Sequence, residues 1–270
     1  FTMSSILTRA SDKISKAALT WNYAYKFRAV DQKFRFEKIG PQHMPQLMDL
    51  SKGFFEDESL NQATGSTIDN CWKALEYMFA YSIAAQSVCN LCEMCYDKKT
   101  NKAIGFRIGN PYYRDPKKAP FTIPEPTLSK QTITLFTPLQ DTFNQVWSCF
   151  PEEEVVLEGE IIYIDRPYRR EAGIFQVWMD YDMHFPTLSK LCGANIYATL
   201  CTARQVKGWY AKLGYSLAYA SPPYVTNVKG EQVRLPQGNI HLYTTNMHTT
   251  NAINVKPCWD KMKAVGLMYK

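Results

Sequence analysis

The 270-residue sequence has no apolar run near the ~20 residues a helix needs to cross a bilayer, so no membrane-spanning helix is expected. Histidine is scarce: His43, His184, His241 and His248 lie far apart. Cys89, Cys92 and Cys95 stand three apart, but no second cysteine or histidine pair at zinc-site spacing follows them. Those three fall in a strand-like run, and the eight cysteines read as buried thiols of a reducing compartment rather than as a metal centre or disulfide framework. Internal repeats and low-complexity tracts are lacking too, which excludes solenoid and fibrous classes.

Acidic residues are scarce at one end. Residues 1–36 hold seven lysines and arginines against Asp12 and Asp31, a net +5, so nearly all of the chain's +6 sits in this arm. A basic arm on an almost neutral body argues against a broad nucleic-acid-tracking surface. Within the arm, Ile6, Leu7, Ala10, Ile14, Ala17, Trp21 and Ala24 recur at the spacing of one helical face. An amphipathic helix over Ser4–Phe27 is expected, able to dock on the domain or on a protein partner. Its serines and basic residues also resemble a mitochondrial transit peptide, which sets a mitochondrial location against the cytoplasmic one.

What the chain does have is 46% hydrophobic and 14% aromatic residues, enough for one large domain. Phe34–Ile39 alternates as a strand, and helices are expected over Pro41–Phe55 and Thr67–Ala85. Ser87–Tyr96 and Ala103–Ile108 read as two strands across the polar turn Asp97–Lys102. Five prolines between residues 110 and 130 read as a loop, followed by a helix near Gln140–Phe150. A strand at Ile161–Ile164 gives way to helical spacing from Ile174, in a helix that Pro186 interrupts or ends. Ala194–Leu200 reads as a buried strand and Gln205–Leu213 as a short helix stopped by Gly214. Tyr215–Ala220 and Ile240–Thr244 read as an antiparallel pair joined by a polar loop.

The strand-to-helix turn after Ile164 carries Arg169, Arg170, Ala172 and Gly173. Unpaired helical N–H groups, small residues and cationic side chains together suit a phosphate. The segment resembles the coenzyme A loop of the GNAT acyltransferases, Arg/Gln-x-x-Gly-x-Gly/Ala after a strand. Both possible registers, starting at Arg169 after Tyr168 or at Arg170, end on Ile174 or Phe175 where the family has a small residue.

Three further segments resemble the invertebrate arylalkylamine N-acetyltransferases of that superfamily. Phe55–Asn61, FEDESLN, is similar to their Asp-Glu-Pro-Leu segment, with Ser59 in place of the proline. Cys92–Gly105 is similar to their paired strands and turn, and Cys201–Tyr215 to their segment that opens Cys-Ser and closes Lys-Leu-Gly-Phe, with Val206 replacing a second serine.

The resemblance implies an α/β GNAT fold: a mixed, mostly antiparallel central sheet flanked by helices, over residues 34–245, with the helical arm 1–33 and a tail 246–270. It implies acetyl-CoA or another acyl-CoA as co-substrate, with no metal, and direct transfer of the acyl group to a small, possibly aromatic amine. Glu58 matches the family's base, Thr202 a family serine hydroxyl, and Tyr210 the tyrosine that protonates the departing thiolate in many GNAT enzymes. The cofactor would run along Ile162 and Ile164 and place its pyrophosphate on Arg169, Arg170, Ala172, Gly173 and Ile174. The departures leave a second reading open, a catalytically silent GNAT-fold component of a larger assembly.

Overall fold

The computed structural model describes residues 32–89, 91–169, 185–203, 206–208, 210 and 215–248. The expected arm helix, the helix from Ile174 onward and nearly all of the tail lie outside the described residues.

Strand β1 (Phe34–Lys38) leads into helix α1 (Met44–Asp57), whose Leu47, Met48, Leu50, Ser51 and Phe55 form one buried stripe. Glu58 then takes an extended conformation (φ −83°, ψ 115°) that breaks the helix, and its carboxylate caps the next one, α2 (Ser59–Thr64), by accepting from Leu60 N–H. Gly65, at φ +71°, ends α2 in the left-handed region. Helix α3 (Ile68–Ala85) starts on a Thr67 cap.

Strands β2 (Glu93–Asp97) and β3 (Ala103–Tyr113) form a hairpin, and helix α4 (Lys130–Cys149) precedes β4 (Val155–Ile164). Helix α5 (Phe185–Cys192), β5 (Ile196–Cys201), β6 (Ser216–Ala220), the small pair β7 (Tyr224–Thr226) and β8 (Gln232–Arg234), and β9 (His241–Asn246) complete the order. Seven strands make one sheet in the order β1-β2-β3-β4-β5-β9-β6, antiparallel everywhere except between β4 and β5.

Alternation along the strands sorts side chains to two faces. Met94, Phe106, Ile108, Ile161 and Tyr163 meet α1, α3 and α4, with Phe79 and Phe106 edge to face at 5.5 Å. On the opposite face Leu157, Tyr197, Tyr210, Tyr215 and Tyr243 share a core with Cys192 at the end of α5. Among the described residues no helix is long and apolar enough to cross a membrane.

The structure departs from the sequence expectations at several prolines. Helix α4 begins ten residues before Gln140 and runs through Pro138. A mid-helix proline costs about 3 kcal/mol, and burial of Leu135, Phe143 and Val146, with Ser129 capping Thr132 N–H, offsets it. Strand β3 continues five residues past Ile108 and includes Pro111. Pairing with β2 ends at Arg107, and Pro111 C=O accepts from Tyr81 OH, so the proline turns its donor-free side away from β4. Pro186 stands in the first turn of α5, which runs on to Cys192, while the stretch from Ile174 that it was expected to interrupt or end lies outside the described residues. The expected loop before β9 holds the β7–β8 hairpin, whose Val225 is buried and whose turn residue Val228 donates to Thr64 C=O. Residues 87–89, 91 and 92 lie between α3 and β2 instead of extending the strand.

Candidate active site

The two edges of β4 are used unequally. Against β3 it pairs at nine positions, from Gly105↔Ile164 to Tyr113↔Val155; against β5 it pairs at three, Leu157–Gly159 with Tyr197–Thr199. Beyond Gly159 the parallel strands part. Glu160 is the extra residue of a bulge, skipped between Gly109↔Gly159 and Ile108↔Ile161. Gly159 is required at the vertex, since a Cβ there would lie 1.9 Å from the Tyr197 hydroxyl. Thr199 Oγ1 donates to Gly159 C=O at 2.8 Å and closes the last pair. Crevices at the carboxyl ends of diverging parallel strands are where open α/β sheets take ligands.

Glu58 and Thr202, 144 residues apart in sequence, come together at the mouth of this opening. Thr202 Oγ1 donates to Glu58 Oε2 at 2.8 Å, while Leu60 N–H and Ser59 Oγ donate to Oε1 at 3.1 and 3.5 Å, so both carboxylate oxygens are held by donors. A narrow crevice beside the pair is lined by Ser59, Leu60, Thr202, Leu235, Gln237 and Ile240. The half-buried Lys207 ammonium donates to Gln237 C=O at 3.2 Å and to Asn239 C=O, fixing that wall. A wider open cleft of about 640 Å³ lies on the other side of α2, against Lys52, Phe55, Gln62 and Trp72, and includes none of Glu58, Thr202 or Tyr210.

The acid next to Glu58 has a different role. Asp57 Oδ1 accepts from Arg166 Nε and a terminal nitrogen at 2.9 and 2.6 Å, and Oδ2 accepts from Arg169. Partial burial pushes the Asp57 carboxyl up, but the hydrogen bonds and charges of Arg169 and Arg166 outweigh it and hold the group below its ordinary value. Arg169 also donates to Ile164 C=O at 2.7 Å, and Tyr168 OH donates to Asp97 at 3.0 Å. Residues Arg166–Tyr168 form a 3-10 turn capped by Asp165, so the chain leaves β4 through a short turn before the arginines. Arg170, Ala172, Gly173 and Ile174 lie outside the described residues. Ile162 and Ile164 stand on the face away from α1, against Phe34, Cys95 and Ile104.

Tyr210 is buried in an aromatic row, stacked on Tyr243 at 5.3 Å and edge-on to Tyr215 at 5.1 Å. Its hydroxyl lies 3.4 Å from Thr199 Oγ1, so it reaches the vertex where β4 and β5 part rather than the Glu58–Thr202 pair. Val206 packs against the same cluster.

Sequence reasoning missed Arg166, Thr199 and Glu160. Glu160 is half-buried, accepts from Asn110 at 2.7 Å, and burial raises its carboxyl to about 7; burial and the neighbouring Glu160 also raise Glu158. Two acids at i and i+2 in an otherwise apolar strand were the available signal.

No family model matches the sequence, and no curated protein matches it. Solved structures do match in fold. Arylalkylamine N-acetyltransferase 2 from Aedes aegypti is 18% identical, aligned over 80% of this chain and 99% of its own, with a TM-score of 0.58. The Drosophila melanogaster polyamine N-acetyltransferase that forms N-acetylagmatine is 14% identical over 79% of this chain and 99% of its own, TM-score 0.58. The C-terminal condensation domain of Ebony, solved with beta-alanyl-dopamine, is 12% identical over 79% and 99%, TM-score 0.61. The mixed seven-stranded sheet that opens between its two parallel strands is thus the GNAT fold, in the form seen in arylalkylamine and polyamine N-acetyltransferases.

Proposed function

We propose that the chain is an acyl-CoA-dependent N-acyltransferase that passes an acetyl or related acyl group directly to a small amine in a ternary complex. The observation that carries this reading is the Glu58 carboxylate, held by Thr202 from the end of β5, at the mouth of the opening between β4 and β5. The residues present fit an acyl-CoA. From Glu160 to Ile164 the β5 side of β4 has no strand partner among the described residues, which suits the amides of an extended pantetheine arm, and Arg169, with Arg170, supplies cations for its phosphates. When bound, that molecule supplies an acyl group activated as a thioester.

The chain's own groups do the rest. Glu58 takes a proton from the incoming ammonium, directly or through one water, with Thr202 and the Leu60 N–H fixing its orientation. The crevice walled by Leu60, Leu235 and Ile240, about 10 Å³, has room for about one water, through which Glu58 would reach the amine, arylalkylamines among the candidates. Tyr210, whose hydroxyl reaches Thr199 at the strand vertex, is our candidate for returning a proton to the leaving sulfur.

Glu160 supports a second assignment of the base, because it follows the last β4–β5 pair and titrates at about 7, near the ideal for proton transfer at neutral pH. Thiol release from acetyl-CoA, measured with a panel of arylalkylamines and polyamines, separates the two. Glu58→Ala is expected to lower kcat by about two to four orders of magnitude, and Glu160→Gln to leave the acid limb of the pH profile in place. Activity lost in Glu160→Gln and kept in Glu58→Ala moves the base to β4. No turnover by wild type with any amine leaves the silent reading.

A further inference from the structure

Across α2 from Glu58, the open cleft of about 640 Å³ has the size of a small-molecule site, and none of the groups assigned to acyl transfer lines it. It lies where the end of α1, α2 and the start of α3 meet. Its floor is apolar: Phe55 is buried, and Ile68 and Trp72 are half-buried against the same core. The Trp72 indole has no ring or cation stacked on it among the described residues.

One polar side chain interrupts this floor. Asn61 is 4% exposed, and its Nδ2 donates to Phe55 C=O at 2.6 Å, which fixes the plane of the amide. Its Oδ1 accepts from no described residue, yet Asn61 lines the cleft and the oxygen is not sealed from solvent, so it faces that space. An amide oxygen held in such a place without a donor costs free energy, and the group that satisfies it must bring an N–H or an O–H.

Charge selects between the two. Asp69, exposed at the start of α3, has no ion-pair partner among the described residues, and Glu56 is held only loosely, 3.8 Å from Arg166. Lys52, on the same rim, is drawn to Asp49 at 3.1 Å. The cleft therefore attracts a cation, and an indole face adds to that attraction.

We propose that this cleft binds a protonated amine with a flat apolar body, at a site separate from that of acyl transfer. The ammonium donates to Asn61 Oδ1 and is drawn by the Glu56 and Asp69 carboxylates on the rim, while the body lies on Trp72 and Ile68. A primary or secondary ammonium meets both requirements. A quaternary ammonium has no N–H for Asn61, and an alcohol has no charge for the two acids.

The proposal is tested by calorimetric titration of the full chain with 2-phenylethylamine in the absence of acyl-CoA. Saturable binding is expected, with the same affinity in Glu58→Ala, because Glu58 does not line the cleft. Asp69→Lys, which reverses an exposed charge, should weaken binding several-fold or more. Gln62→Trp, which fills the cleft from the exposed side of α2, should abolish it. With wild type, the N,N,N-trimethyl analogue and 2-phenylethanol should each bind at least about ten-fold more weakly, the loss expected when a hydrogen bond involving a charged group is not made. These analogues need no variant, so misfolding of one does not remove the test. Heats that do not saturate, equal affinity for the amine and its trimethyl analogue, or binding lost in Glu58→Ala and kept in both Asp69→Lys and Gln62→Trp, overturns the proposal. Turnover plays no part in these readouts, so its absence bears on acyl transfer alone.

Discussion

The two edges of β4 show how one strand serves both fold and site. On the β3 side, nine aligned positions and the packing of Phe106 and Ile108 on α3 give an edge whose polar backbone groups are used by the sheet. On the β5 side, three positions suffice to hold the strands, and the bulge at Glu160 marks where they begin to part. A ligand can compete for backbone groups only where the sheet has left them unpaired. The same chain segment is therefore rigid because of one edge and available because of the other.

Substitutions that touch one edge and not the other sharpen this contrast. The largest effect on stability belongs to the closed side. Phe106→Ala removes a fully buried ring packed on Phe79 and Tyr163, and should cost about 3–5 kcal/mol in denaturant unfolding. If acetyl transfer per folded molecule fell as steeply, the two edges would not be separable. Gly159→Ala comes next, at about 1–3 kcal/mol, since its methyl would strike the Tyr197 hydroxyl at the vertex. Loss of donor affinity beyond the loss of stability is expected there, because the shift falls on the open side.

Asp57→Asn has the smallest expected effect. The Asp57 side chain is 24% exposed and its arginine partners more so, hence at most about 1 kcal/mol, shrinking with added salt. Its carboxyl is depressed when folded, so its contribution is present above the ordinary value of 3.8 and is lost as pH falls through the folded value. Wild type and Asp57→Asn should therefore converge in melting temperature below that range and differ above it. A gap that widened on acidification would contradict the two-arginine arrangement.

Much of the closed edge was legible in the sequence. Alternation in Phe34–Lys38, helical spacing in α1 and α3, and the polar turn Asp97–Lys102 each express a local preference that packing reinforces. Pro111 and Pro138 misled because proline signals a missing donor, while whether that donor is needed depends on a neighbour distant in sequence. The site was legible in its parts and not in its pairing. Glu58 and Thr202 were marked by resemblance, but their hydrogen bond arises only once α2 docks beside the end of β5. Asp57 and Arg166 are 109 residues apart and carry no local pattern to link them. The bulge at Glu160 is a register property of two strands, which no single strand displays.

The claim that the open edge of β4 and the arginine turn hold an acyl-CoA is tested most directly by calorimetric titration of the full chain with acetyl-CoA. Saturable binding is expected, weakened several-fold or more by charge reversal at Arg169 and Arg170 together. Absence of binding to wild type, or affinity unchanged in the double variant, would contradict the account.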